Sequence, residues 1–347
     1  MKQLLFLTTF LFINFTFGQT NMSEINGTWI KLKSEMKDGS KLFSRFEEDS
    51  TYIQYTINKK QLCINSNPIH KTNQTCIDFT LIGNLLKTSE YSSYLIEKIT
   101  NDSLIISEKI DDLTNDKLKR IYFIKQEELL SKYKEKNKNN KNIVASKLFT
   151  PKTNSTIEIE LNKAFKNNYS NFELIGNLKI YPKQKEIKTQ ISFSTQKDSS
   201  RIRTIKKVIN NTFEKWDLTN FNEYESIEIP FVLKSEITKT YWGITVIFFT
   251  NDLNQLEIVY GVKAENIRKS DVFFDKAVNA YKDKKIQKAI DFFTQSYKFD
   301  PKNIDALYNK AAAYFELGEK DNACNVWKEI SNLGQVSAKE LYQYNCM

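Results

Sequence analysis

Hydrophobic and polar positions alternate over much of the first third of the chain. Runs with this two-residue period span Thr51–Ile57, Gln61–Asn65, Cys76–Lys87, Ser92–Ile99, Ser103–Ile110 and Lys117–Lys125. Turn-forming polar residues separate them, including Thr100-Asn101-Asp102 and Leu113-Thr114-Asn115-Asp116. Short strands at this spacing predict an antiparallel β meander or small barrel over residues 22–126. The alternation then stops. Lys132–Asn142 is a Lys/Asn-rich run with no apolar period, so residues 127–147 are expected to form a charged linker that extends a helix from Glu127 and then frays.

Residues 148–265 change character again. Leu174–Tyr181 and Lys188–Thr195 alternate as two strands around Pro182-Lys183-Gln184-Lys185. Ser199–Trp216 shifts to a helical period carried by Ile202, Ile205, Val208, Ile209, Phe213 and Trp216, with Ser199 and Ser200 as cap candidates. Ser226–Leu233 returns to strand, and Tyr241–Phe249 with Gln255–Tyr260 offers a second strand pair. Ser155–Asn167 fits either a helix or an extended lead-in. The segment thus predicts a β-β-α-β domain, and the whole chain a multi-domain α+β protein.

Residues 266–347 form a last domain, in which 270–347 repeat with a period of 34. Phe273 recurs as Leu307, Phe274 as Tyr308, Ala277 as Ala311, Ala289 as Ala323 and Phe293 as Trp327, and Pro301 closes the first unit. Paired helices crossing at alanines, with aromatics filling the next gap, explain that spacing. Val336–Tyr344 reads as a capping helix.

Composition narrows the chemistry. The net charge of +9 comes from scattered Lys, with only Arg45, Arg120, Arg201, Arg203 and Arg268 as arginines. Nucleic-acid recognition favours clustered Arg, so none is expected. Residues 1–18 read as a signal peptide: Lys2, an apolar run Leu4–Phe17, then Thr16 and Gly18 as small residues before the cut. No Cys follows that run to carry a lipid, and no later segment is apolar enough to span a membrane. The expected location is therefore periplasmic or secreted. Four Cys in that setting predict disulfides, and of the three possible pairings local spacing favours Cys63–Cys76 and Cys324–Cys346. The single histidine, His70, lies beside Pro68 in an expected hairpin loop and is read as solvated. Zinc motifs, Gly-rich phosphate loops and most His-dependent nucleophile arrangements are missing, so no enzymatic role, metal or cofactor is expected.

Three family resemblances follow from these residues. Ala277, Ala289, Phe293 and Pro301 fall on the positions that define tetratricopeptide repeats, so the C-terminal region resembles that family. Ser296 and then Ile330 occupy a position that is usually small there, and the second unit lacks the closing Pro. The resemblance implies a partner-binding groove on the first helix of each pair, lined by Phe274, Val278, Tyr281, Tyr308, Ala312 and Phe315. The alternative is that these side chains pack against residues 240–265. The middle domain, with its helix ending near Trp216 and a strand carrying Ile229-Pro230-Phe231, resembles the C-terminal domain of TonB-type energy transducers. That family pairs with partners by adding a strand. The Ile25-Asn26-Gly27-Thr28-Trp29 start and the Tyr94–Ser107 hairpin are similar to lipocalin-like domains, where the Trp plugs one end of a barrel. Together they imply a non-catalytic envelope or secreted scaffold for a protein or peptide partner. The alternative is a carrier of small apolar ligands.

Overall fold

The computed structural model describes residues 20–44, 51–71, 74–166, 168–239 and 242–347, and the signal peptide expected at residues 1–18 lies outside them. A short helix, α1 (Met22–Ile25), leads into β1 (Gly27–Met36), β2 (Gln54–Ile57), β3 (Gln61–Asn65), β4 (Gln74–Asp78), β5 (Thr80–Ile82), β6 (Leu85–Lys87), β7 (Ser92–Ile99), β8 (Ser103–Ile110) and β9 (Lys119–Lys125). Their order in one antiparallel sheet is β4-β3-β2-β1-β9-β8-β7-β6-β5. The two edge strands, β4 and β5, are separated only by Phe79. A sheet whose opposite edges are one residue apart in the chain must roll up, and the result is a nearly closed barrel. Trp29, Tyr55, Leu62, Leu86, Leu104 and Phe123 are among the buried side chains that fill it. The Trp29 indole N–H donates to the Ile25 carbonyl at 2.8 Å and ties α1 to β1.

Cys76–Lys87, expected as one strand, is three. It breaks at Phe79 and again at Gly83-Asn84, where φ of 59° at Gly83 makes a tight turn between the paired Ile82 and Leu85. Cys63 faces Cys76 directly across β3 and β4 and is bonded to it, with the Cα atoms 4.0 Å apart.

The helix expected from Glu127 is present and most of residues 131–142 is exposed, but the segment is also tied to the domains on both sides. Helix α2 (Gln126–Asn137) buries Leu129 with Ile30, Tyr52 and Ile124 of the barrel. Strand β10 (Asn142–Val144) then runs parallel to a strand of the middle sheet. Next come β11 (Lys152–Thr153), α3 (Ile157–Phe165), β12 (Phe172–Tyr181), β13 (Glu186–Ser194), α4 (Ser199–Asn210), β14 (Trp216–Asp217), β15 (Ser226–Ile237) and β16 (Trp242–Phe248). The ambiguous segment before β12 is therefore helical.

Strand β15 organises the middle sheet. It pairs with β12 on one side, and on the other with β10 and then β16. A proline inside such a strand is unusual because it has no N–H to give. Pro230 is tolerated because its backbone polar groups face the side where β10 pairing has ended at Glu228 and β16 pairing begins at Phe231; its carbonyl accepts from Phe249 there at 2.7 Å.

Helix α4 is capped by Asp198, whose carboxylate accepts from the Ser200 N–H at 2.8 Å, rather than by Ser199 or Ser200. It stops at Asn210, six residues before Trp216, because the Asn210 amide oxygen turns to accept from Thr189 in the sheet. Gln255–Tyr260 does not extend the sheet. It forms a 3-10 turn, Leu253–Glu257, and the first half of a two-strand hairpin, β17 (Ile258–Val259) with β18 (Val262–Lys263).

Five helices complete the chain: α5 (Ala264–Lys282), α6 (Ile286–Phe299), α7 (Ile304–Glu316), α8 (Lys320–Asn332) and α9 (Val336–Cys346). The sequence period reappears as backbone. Helices α5 and α7 end, and α6 and α8 begin, 34 residues apart. The turn residues Lys284 and Gly318 both have positive φ, 63° and 77°. Ala277, Ala289, Ala311 and Ala323 are fully buried where the helices cross. Ser296, at a position where a small residue was expected, shares a buried hydrogen-bond node with Ser270 and Asn303. Cys324 and Cys346 are bonded, joining α8 to α9. In the chain-entropy account each disulfide contributes about 3 kcal/mol. No helix among the described residues is long and apolar enough to cross a membrane.

Gly176 and Phe231 are paired across β12 and β15, and a Cβ on Gly176 would run into the Phe231 ring. Gly176→Val should therefore destabilise the chain by about 1–3 kcal/mol in urea unfolding, and Phe231→Ala in the same chain should restore part of that loss.

Candidate functional site

Two regions bear on function: the first helices of the C-terminal pairs, and the cleft where the barrel meets the middle sheet.

The six residues expected to line a groove are not equivalent. Phe274 lies edge-on to Phe293 at 5.5 Å and, with Val278 and Tyr281, is half-buried around Ala277, Ala280 and Ala289. The Tyr281 hydroxyl donates to the Glu316 carboxylate, which ties α5 to α7 and raises the pKa of the phenol. Tyr308 is half-buried under the last helix. Burial pushes its pKa up to about 12, and the barrel carboxylates Asp38 and Asp116 add to the effect. Ala312 and Phe315 are exposed, and Phe315 packs one edge on Trp327, with ring centroids 5.5 Å apart. The structure thus brings Phe274, Val278 and Tyr281 together, sets Tyr281 beside the Phe315–Glu316 end of α7, and turns Tyr308 toward α9 and the barrel.

The helices dock on the barrel as well as on the segment before them. The loop before α9 contacts the barrel turn after β1. Lys41 N–H donates to the Gly334 carbonyl at 3.0 Å, Val336 N–H to the Ser40 hydroxyl at 2.9 Å, and the Gln335 amide to the Lys41 carbonyl at 2.8 Å. A further tie, from the Lys302 ammonium to the Tyr260 carbonyl, reaches the β17–β18 hairpin.

The cleft was not anticipated. Strand β11 enters it between the barrel and β14, with Lys152 paired to Asp217 and Thr153 to Trp216. Most of the Lys152 side chain is buried. Its ammonium donates to the Tyr52 hydroxyl at 3.0 Å and to the Gln54 side-chain amide oxygen. Tyr52 in turn donates to Gln54 at 2.7 Å. Burial, with Lys71 nearby, lowers the Lys152 pKa to about 8, and burial raises that of Tyr52. Asp217 is held at about 2 by the Lys71 ammonium, 2.7 Å away, and by Thr219. A small inner recess lined by Tyr52, Lys152, Thr150 and Phe221 adjoins an outer chamber of about 450 Å³. Tyr133, Leu148 and Phe249 line that chamber with Lys31 and Lys147. The sequence marks the site only by a lone charge. Between Lys147 and Glu158 the chain is apolar or uncharged at every position except Lys152.

His70 is also placed differently from expectation. It is buried at the junction rather than solvated, because the β3–β4 loop docks on β11: Thr153 N–H donates to the Ile69 carbonyl at 2.8 Å and Lys71 N–H to the Thr153 carbonyl at 3.0 Å. The ring packs near Phe248, and its Nε2 lies 3.7 Å from the Glu158 carboxylate. No family model matches the chain, and no curated protein matches it.

The Lys152 pKa gives a signed pH dependence. The folded state lowers it from 10.5 to about 8, so between those values the unfolded chain binds more protons. Stability credited to this group therefore rises with pH across that window, as the penalty for burying a charge is relieved. In urea unfolding, the stability of the wild type relative to Lys152→Met should improve on the order of 2 kcal/mol between about pH 7.5 and about pH 9.5.

Proposed function

We propose that the protein is a non-catalytic scaffold of the cell envelope or the secreted space, binding a protein or peptide partner through its C-terminal helical pairs. The observation that carries this reading is the 34-residue recurrence of helix boundaries, buried alanine crossings and positive-φ turns. Those features support a tetratricopeptide-like stack, an architecture that offers continuous helical surfaces to partners. Phe315 and Ala312 are exposed on α7, whose neighbouring Glu316 is bonded to Tyr281 of α5, so these two exposed residues are the core of the proposed contact. Two disulfides support an oxidising location.

The middle domain supports a second binding mode. Its β12-β13-α4-β15 order is compatible with a TonB C-terminal-like unit, and β13 pairs only with β12 among the described residues. A partner strand could add along that edge. The alternative of a lipocalin-like carrier requires an open apolar cup. The buried side chains of the described barrel residues occupy its interior, which favours the scaffold.

Because Phe315 is exposed, Phe315→Glu should leave the thermal midpoint within a few degrees of the wild type. In quantitative co-purification after cross-linking in cells, the same variant should lose a partner that the wild type retains by about tenfold or more, the size expected for an interface aromatic. Equal retention by both chains would count against the helical surface.

A further inference from the structure

We propose that the cleft between the barrel and the middle sheet binds a small monocarboxylate, its carboxylate held by Lys152 and its apolar body lying among Tyr52, Tyr133, Leu148 and Phe249.

Charge is the first argument. Lys147 lines the outer chamber, and Lys152 lines the inner recess beside it. Asp217, in the inner recess, is already neutralised by Lys71 at 2.7 Å. The Lys152 ammonium meets two uncharged oxygens, those of Tyr52 and Gln54. An ammonium has three hydrogens to donate, so one remains for a ligand. A buried cation without a counter-ion is costly, and an anion placed beside it removes that cost.

Shape and wall chemistry are the second argument. A chamber of about 450 Å³ falls within the size range of small-molecule sites. Tyr52, Tyr133, Leu148 and Phe249 give it an apolar side, where Tyr133 stacks on Phe149 at 5.3 Å, while Lys31, Lys147, Thr51 and Ser146 are polar members of its lining. Phosphate recognition would call for several convergent donors or an Arg fork. No Arg lines either chamber among the described residues. The Lys152 ammonium, which meets only uncharged oxygens among the described residues, beside an apolar side matches a carboxylate with an aromatic or aliphatic body.

The surroundings make the charge dependence readable. Lys152 faces Tyr52 and Gln54 from β2 and the segment before it, Lys71 from the β3–β4 loop, Lys147 from the segment before β11, and Asp217 from β14. Across the alkaline range Asp217 stays ionised and Tyr52 stays protonated, so Lys152 is the group expected to discharge near pH 8.

The test uses the full chain and three probes of one shape: 2-naphthoate, 2-naphthalenemethanol and 2-naphthylmethylammonium, measured by calorimetry and ligand-observed NMR. Naphthoate should bind at one site, and the alcohol and the ammonium at least about tenfold more weakly, as expected when a buried charge loses its partner. Lys152→Met should weaken naphthoate about tenfold, and Leu148→Trp should block it by filling the chamber. In the wild type, affinity should fall about tenfold from about pH 7 to about pH 9.5 while the probe stays ionised. That pH profile needs no variant, so it decides the matter even if Lys152→Met does not fold. Equal binding of the three probes, no binding of naphthoate, or an affinity unchanged by pH overturns the proposal.

Discussion

The structure turns on a pair of main-chain hydrogen bonds at Thr153. Its N–H donates to Ile69 and its carbonyl accepts from Lys71, so the tip of a barrel hairpin is bonded to a strand of the middle domain. Peptide groups buried without partners are costly, and this contact satisfies two donors and two acceptors across a domain boundary. Everything nearby inherits its position from it. Ile69 enters the apolar core of the middle domain, Lys152 is aimed back at Tyr52 and Gln54 of the barrel, and Lys71 reaches Asp217. Helix α2 reinforces the same junction, with Leu129 on the barrel side and Leu130 on the middle-domain side.

The junction holds more polar groups than a simple packing surface needs. His70, Ser155 and Glu158 each have a buried polar atom without a hydrogen-bond partner among the described residues. Polar groups in that state are expensive to bury and are tolerated where other contacts over-determine the geometry. The Thr153 bridge, the Lys71–Asp217 pair and the shared apolar residues supply that constraint.

Local patterns were legible in the chain; contacts between distant segments were not. The 34-residue recurrence located the four paired C-terminal helices because each repeat position faces the same neighbour, and the capping helix was read after them. Both disulfides followed from local spacing, since each joins antiparallel elements close in sequence. The boundaries that failed were decided elsewhere: α4 ends early because Asn210 bonds Thr189, and β10 forms because β15 has an edge to receive it. Lys152 and His70 were misjudged or overlooked for the same reason. Their burial comes from segments about a hundred residues apart that meet at Thr153, which no local period records.

The helical stack is held differently. Hydrogen bonds from Gly334, Gln335 and Val336 join it to the barrel turn at Ser40–Lys41, and Lys302 joins it to the β17–β18 hairpin at Tyr260. Each such bond contributes about 1 kcal/mol net. The helices owe their order mainly to their own alanine crossings, the Ser270–Ser296–Asn303 node and the Cys324–Cys346 bond. The barrel and middle sheet, by contrast, share a core and a backbone bridge. A ligand in the cleft and a partner on the helices would therefore meet separate surfaces, the first between barrel and middle sheet and the second on helices ordered chiefly by their own crossings.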